Sequence, residues 1–430
     1  VVVRGGRVID QRGERVADVV IRDGAITEVG ERLARARGAT VLDADGCVVA
    51  PGFVDLHTHL RQPGFEEAET IETGARAGAV GGYTALVAMP NTEPPLDSAA
   101  AVREVRDLAA GVAADVHPAG CITRQRAGHE LAPLGELHGL GVRIFTDDGS
   151  CVADGGLMRR AFEYARALPG AVLAQHCEDP TLARGAAMNE GAWSSRLGIP
   201  GQPGEAESVV VARDIALARL TGGRIHFLHL STARSVDLVR AAKAEGLAVT
   251  AEAAPHHFTL TDACCASYDP VFKVNPPLRT DADIAAVKQG LADGTIDAIA
   301  TDHAPHPREA KERTFEDAPP GMLGLETALA LAITELVEPG IVELARVVAL
   351  MSWQPARLAG LDGIGHGGPV EPGRPANLCV FDPSTPWEVD PARVASRSRN
   401  TPYAGRKLTG RVRHTVLFGR PTVIDGGLQQ

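Results

Sequence analysis

His57 and His59 stand one residue apart at the end of an apolar run, PGFVDLHTHLRQPG (51–64), and a second apolar run ends in ATDHAPH (300–306). Residues i and i+2 of a strand project to the same face, so both imidazoles can reach one metal ion, whereas residues i and i+1 could not. The spacing alone is weak, because with 14 His in the chain chance gives roughly half an H-x-H. Its position strengthens it. Two separate strands that each end in metal-ligand residue types suggest a parallel barrel with an active site on the rim at its strand ends. The chemistry indicated is metal-dependent catalysis.

A barrel requires eight strands, and eight apolar, β-rich runs alternate with helical patterns. They are GFVDLH (52–57), YTALVAM (83–89), DVHPAG (115–120), VRIFTD (142–147), AVLAQH (171–176), RIHFLH (224–229), LAVTAE (247–252) and IDAIATD (296–302). Among the helices between them, Ser231-Thr232 offers an N-cap to ARSVDLVRAAKAEG with Gly246 as its stop, and Thr280 opens DADIAAVKQGLADG in the same way. The first fifty residues read instead as short strands with turns, Asp23-Gly24 marking a hairpin, and the tail repeats the style at 375–382 and 413–426. The predicted fold class is α/β, a (β/α)8 TIM barrel over 51–360. Residues 1–50 and 361–430 are expected to build one composite β-sandwich.

Composition narrows the function classes. A chain of 430 residues with 44% hydrophobic and 23% charged residues can bury a sizeable core, and no apolar run approaches a membrane span. The net charge of −11, without any stripe of Lys or Arg, makes nucleic acid an unsuitable partner. Seven Cys, an odd number with no C-x-x-C pairing and no secretory signal ahead of them, fit a reducing cytoplasm. The chain opens on Val1 rather than Met, so a short leader is expected before it.

The ends of the predicted strands carry the argument. Strand one ends in His57 and His59, strand four in Asp147-Asp148, strand five in His176, strand six in His229 and strand eight in Asp302. Three acids and four imidazoles are a mixed set suited to Zn²⁺ or a similar borderline metal. A lone His at any one of these places would be read as a packed or surface residue; the joint pattern reverses that. Asp147-Asp148-Gly149 is strong turn chemistry, so one aspartate is expected to serve the turn and the other to point inward.

The motifs PGFVDLHTHLRQPG, AMPNT (88–92), FTDDG (145–149), HCED (176–179), HLST (229–232), PHH (255–257), NPPLR (275–279), ATDHAPH and PGMLGLET (320–327) resemble those of the dihydroorotases of the amidohydrolase superfamily, over nearly the whole chain. The resemblance implies reversible hydrolysis of dihydroorotate to N-carbamoyl-aspartate, the third step of pyrimidine biosynthesis, at a centre holding two Zn²⁺. His57 and His59 would ligate one zinc and His176 and His229 the other, while Asp302 touches the first zinc and moves the proton. Many amidohydrolases bridge their metals with a carboxylated lysine on strand four. The first lysine here is Lys243, on the helix after strand six, and the family branch with TDDG uses the second aspartate, Asp148.

Substrate contacts follow from the same resemblance. A carboxylate substrate needs a local cation in so acidic a chain, and Arg61, four residues past the first ligand, can hold it bidentately. The family adds Asn91 and His306 around that carboxylate, Asn275 with the backbone of Pro320 and Gly321 around the ring, and His59 as a further substrate contact. Gln62 departs from the Glu common after the Arg. Cys177, His226 and the Cys264-Cys265 pair are expected to pack. The stretch 305–321, rich in charge and proline, is expected to form no packed element and to act as a lid.

Two rival readings remain in view. Hydantoinases, dihydropyrimidinases and allantoinases share the H-x-H but lean on the strand-four lysine absent here. A non-catalytic dihydroorotase-like scaffold supporting aspartate transcarbamoylase would show lost ligands, and none is lost. Aspartate transcarbamoylase as a partner, and a homodimer, stay open.

Overall fold

Eight short strands, most of them apolar enough to be buried on both faces, follow one another in parallel. They are β1 (Phe53–Thr58), β2 (Tyr83–Ala88), β3 (Asp115–Pro118), β4 (Ile144–Phe145), β5 (Val172–Gln175), β6 (Ile225–Phe227), β7 (Val249–Ala253) and β8 (Ala298–Ile299). The computed structural model describes residues 1–33 and 38–429. Ladders join β1 to β2 and β2 to β3, and run from β4 through β5, β6 and β7 to β8. Parallel bridges Gly120–Phe145 and Thr58–His303 close the ring between β3 and β4 and between β8 and β1. All eight runs read from the sequence are present, and the fold is a (β/α)8 barrel.

Alternation along the strands builds two cores. Val54, Leu56, Ala85, Val87, Ala119, Ile144, Ala174 and Ala298 pack together inside the barrel, while Phe53, Leu86, Val116, Phe145, Leu173, Ile225 and Val249 face the surrounding helices. The helix Ala233–Ala244 starts at Thr232, whose side chain accepts from Ser235 N, and gives way to Gly246 at φ +78°. Thr280 forms a capping box with Asp283 at the start of Asp281–Asp293. Such caps contribute about 1 kcal/mol each and fix where the helices enter, and hence where the strand-end loops begin.

Both termini contribute to one nine-stranded sheet. Its order runs from Gly427–Leu428 through Arg420–Ile424, Lys407–Leu417, Leu378–Glu388 and Val48–Pro51 to Val2–Asp10, Gly13–Arg22 and Ala25–Gly30, with Val41–Asp43 beside Val2–Asp10. It encloses its own core of Val3, Val8, Val19, Ile21, Leu42, Val49, Val380 and Val416, as a β-sandwich does. No helix among the described residues is long and apolar enough to cross a membrane.

Candidate active site

The rim strands β4 and β8 are only two residues long because side-chain carboxylates replace ladder partners there. Asp147 accepts the N–H groups of Ile122 (2.9 Å) and Thr123 (3.0 Å) and the Thr123 hydroxyl, tying the end of β4 to the chain leaving β3. Asp55 accepts from His57 N (3.1 Å), Thr301 N (3.0 Å) and Thr301 Oγ1 (2.6 Å), tying β1 to the end of β8. The next residues are thereby released from the sheet, and their side chains turn into the barrel mouth.

Asp148 stands at the centre. Its Oδ2 lies 3.3 Å from His57 Nε2 and 3.4 Å from His59 Nε2, and its Oδ1 lies 3.4 Å from His176 Nδ1 and 3.6 Å from His229 Nε2. One carboxylate therefore faces two histidine pairs, one oxygen to each. Asp302 Oδ1 stands on the first side, 3.1 Å from His59 Nε2 and 3.5 Å from His57 Nε2. The six side chains come from β1, β4, β5, β6 and β8 and are all buried. His229 (φ 31°), Asp302 (φ 47°) and Arg61 (φ 63°) hold backbones in the left-handed region that non-glycine residues avoid. Strain of this kind persists where the surroundings over-determine a functional geometry.

The donor set fits a metal. His57 Nε2 and Asp148 Oδ1 are buried without hydrogen-bond partners, an expensive condition unless a cation accepts their lone pairs. Burial alone would raise the Asp148 carboxyl, but the imidazoles around it, His57 foremost with His176 and His229, hold it well below the usual range. Burial likewise opposes ionisation of Asp302, and His57 and His59 overcome it. Burial opposes protonation of His176, but Asp148 and Glu178 push it up to about 10.

Sequence reasoning missed Glu252 and Arg126, which support these side chains, and the bond that Asn91 makes to His59. Glu252 accepts from His57 Nδ1 (2.8 Å) and from His226 Nε2 (3.0 Å), which fixes the His57 ring. Asn91 Oδ1 does the same for His59 Nδ1 at 2.9 Å. Arg126 donates to Asp148 O at 2.6 Å and braces the turn closed by Gly149 at φ +77°. His226, expected only to pack, is buried but belongs to this relay; Cys177 and Cys265 pack in separate apolar clusters, and Cys264 is partly buried. Lys243 sits away from the centre, paired with Asp297 at 2.6 Å.

Above the ligands lies a cavity of about 170 Å³ lined by His59, Arg61, Asn91, Asp148, His176, His229, Asn275, Asp302, His306, Pro320 and Gly321. His57 lies beneath it. Arg61 donates through Nε to Pro305 O (3.1 Å), and burial brings its pKa down only to about 10, so it remains a cation. His306 Nε2 is 2.8 Å from Pro320 O, and burial together with Arg61 pushes its pKa down to about 3. Arg279 of NPPLR is buried and bonds Asn189 Oδ1 (2.8 Å), Gln202 O (3.1 Å) and Ser231 Oγ (3.1 Å), anchoring the segment that carries Asn275. A larger cavity of about 830 Å³, lined by Glu326, Trp387 and Arg411 among others, lies away from these ligands.

The stretch 305–321 differs from expectation. It contains a single helical turn, Arg308–Lys311, and two anchors. Phe315 packs with Met188, Ile199 and Cys265, and Lys311 Nζ donates to Pro270 O (3.0 Å) and Pro319 O (2.8 Å). One aromatic and one half-buried lysine leave no periodicity in a charged sequence, which is why the packing was not foreseen.

A family model described as "Dihydro-orotase-like" matches residues 46–235. A dihydroorotase of Streptomyces coelicolor is 51% identical over 430 residues, covering 99% of each chain, and one of Mycobacterium tuberculosis is 48% identical over 433 residues, covering 100% of this chain and 99% of the other. The chain belongs to the dihydroorotase family. Among solved structures, the L-hydantoinase (dihydropyrimidinase) from Arthrobacter aurescens superposes with a TM-score of 0.89 at 25% identity, covering 100% of this chain and 97% of that one. The dihydropyrimidinase from Brevibacillus agri NCHU1002, at 24% identity and TM-score 0.85, covers 99% and 95% and shares the fold. Membership makes the chain a hydrolase of the amidohydrolase superfamily. The clustered His and Asp side chains are of the type and spacing that can hold a metal ion.

Proposed function

We propose that this chain, with residues 51–360 as the catalytic barrel and 1–50 with 361–430 as the composite β-sandwich, interconverts dihydroorotate and N-carbamoyl-aspartate using two Zn²⁺. The observation that carries the reading is the division of Asp148 between the His57–His59 and His176–His229 pairs. His57, His59 and Asp302 would hold one ion, His176 and His229 the other, and Asp148 both. Bound there, the metals would lower the pKa of water from 15.7 to about 7 and polarise the amide carbonyl.

This chain's own residues supply the rest. Arg61, with Asn91 and His306, holds the substrate carboxylate, and Arg61 supplies the positive charge, since His306 stays neutral. Asn275 and the backbone of Pro320 and Gly321 hold the ring against the ligands. Asp302 accepts the proton of the attacking water and returns it to the ring nitrogen as the C–N bond breaks. In the reverse direction the ureido nitrogen closes on the carboxylate, water leaves, and Asp302 carries the proton the other way.

Substrate choice tests the reading. Arg61→Ala should raise KM for dihydroorotate at least tenfold, and the unaltered chain should neglect hydantoin and dihydrouracil, which lack the carboxylate. An unchanged KM would remove Arg61 from the pocket, and comparable turnover of hydantoin would favour the hydantoinase reading.

A further inference from the structure

A second constellation lies at the opposite end of the barrel from the rim. Asp115 and His117 open β3 and share the inward face that continues with Ala119, a member of the interior core. His366 arrives from the segment between the last barrel helices and the terminal sheet. Asp115 Oδ2 is 3.0 Å from His117 Nε2 and 3.0 Å from His366 Nε2. The three ligand atoms all lie within 4.8 Å of one another.

The arrangement is more than a hydrogen-bonded triad. His117 Nε2 is buried and has no hydrogen-bond partner, although it stands beside the carboxylate oxygen that His366 Nε2 engages. Two imidazole nitrogens thus converge on one oxygen that only one of them bonds. Ligands 2.0–2.1 Å from a tetrahedral zinc stand roughly 3.3 Å apart, so a small opening of the cluster admits the ion. The His366 ring is held from behind, as a ligand's ring commonly is. His366 is fixed through Nδ1 by Thr84 Oγ1 at 3.2 Å, and the two ring planes meet at 79°.

Chemistry and access select the guest. Two neutral imidazoles and a carboxylate suit Zn²⁺ or Co²⁺, whereas Ca²⁺ and Mg²⁺ prefer oxygen ligands alone. The side chains of Asp115 and His117 are 31% and 28% exposed while that of His366 is 0% exposed, so an ion can enter from solvent and be held from within. Asn377 Nδ2 donates to Gly365 O (3.0 Å) and the Gln11 side chain bonds Gly367 O, which anchors the His366 backbone to the terminal sheet. The geometry points to a structural divalent-metal site, formed by Asp115, His117 and His366, that clamps the floor of the barrel to the terminal sheet.

The test compares the full chain with His117→Gln and Asp115→Asn after dialysis against micromolar Zn²⁺, reading zinc per chain, melting temperature and turnover together. Both variants should lose one equivalent of zinc and the zinc-induced rise in melting temperature, with kcat within twofold of the unaltered chain. Equal zinc content in all three proteins would overturn the site. If a variant fails to fold, Co²⁺ titration of the unaltered chain decides instead. Binding that continues by one equivalent after activity has reached its plateau supports the site, and binding that stops with activity contradicts it.

Discussion

Asp147 and Asp148 are neighbours whose carboxylates point in opposite directions: Asp147 accepts the N–H groups of Ile122 and Thr123, and Asp148 faces four imidazoles. Sequence identity at the two positions is the same, and backbone direction alone separates their work. Asp148→Ala should therefore strip metal and activity together. Asp147→Ala should keep metal and cost about 1–3 kcal/mol of stability, the expense of leaving buried N–H groups unpaired. Metal content and thermal unfolding of both variants check this, and loss of metal from Asp147→Ala alone would reverse the assignment.

Glu252 reaches the centre only through His57. Burial would raise its carboxyl, but hydrogen bonds from His226 and His57 bring it down to about 2, so an anion stands behind the His57 ring. Glu252→Gln should lower metal affinity about 10- to 100-fold while the fold persists. A metal titration that gives the unaltered affinity would show that this contact does not tune His57.

The barrel was legible because most of its strands are buried on both faces and so read as continuous apolar runs, and the clustered His and Asp residues were legible because they stand where those runs stop. The supporting residues were not. Asp55 and Thr301 are 246 residues apart in the chain, and Glu252 and His57 are 195 apart. Each is a single polar residue whose partner is brought to it only by closure of the ring. Gln62, noted as a departure, shows its use in the fold: Oε1 accepts from Ile71 N at 3.1 Å at the start of the helix Ile71–Val80.

A pH effect follows from Glu326, in the PGMLGLET stretch. Burial, with nearby Glu69, raises its pKa from 4.5 to about 7, although Ala395 N and Ser396 N donate to it. The folded state then binds a proton that the unfolded state releases, so this stabilisation is full below pH 4.5 and is lost as pH rises through about 7. Glu326→Gln, which keeps an acceptor and cannot ionise, should remove about 1–3 kcal/mol of that decline. Unfolding free energies of the two proteins between pH 4.5 and 8 provide the check, and parallel curves would contradict it.

The central claim is that the histidine pairs around Asp148 hold the metal that makes this chain a dihydroorotase. The most direct measurement is dihydroorotate turnover by the isolated chain, stripped with a chelator and then supplied with zinc. The account predicts that turnover disappears with the metal and returns as zinc is bound, without added bicarbonate, since no lysine carboxylation is needed, and without aspartate transcarbamoylase. Full turnover by the stripped chain, or none after zinc is restored, would contradict it.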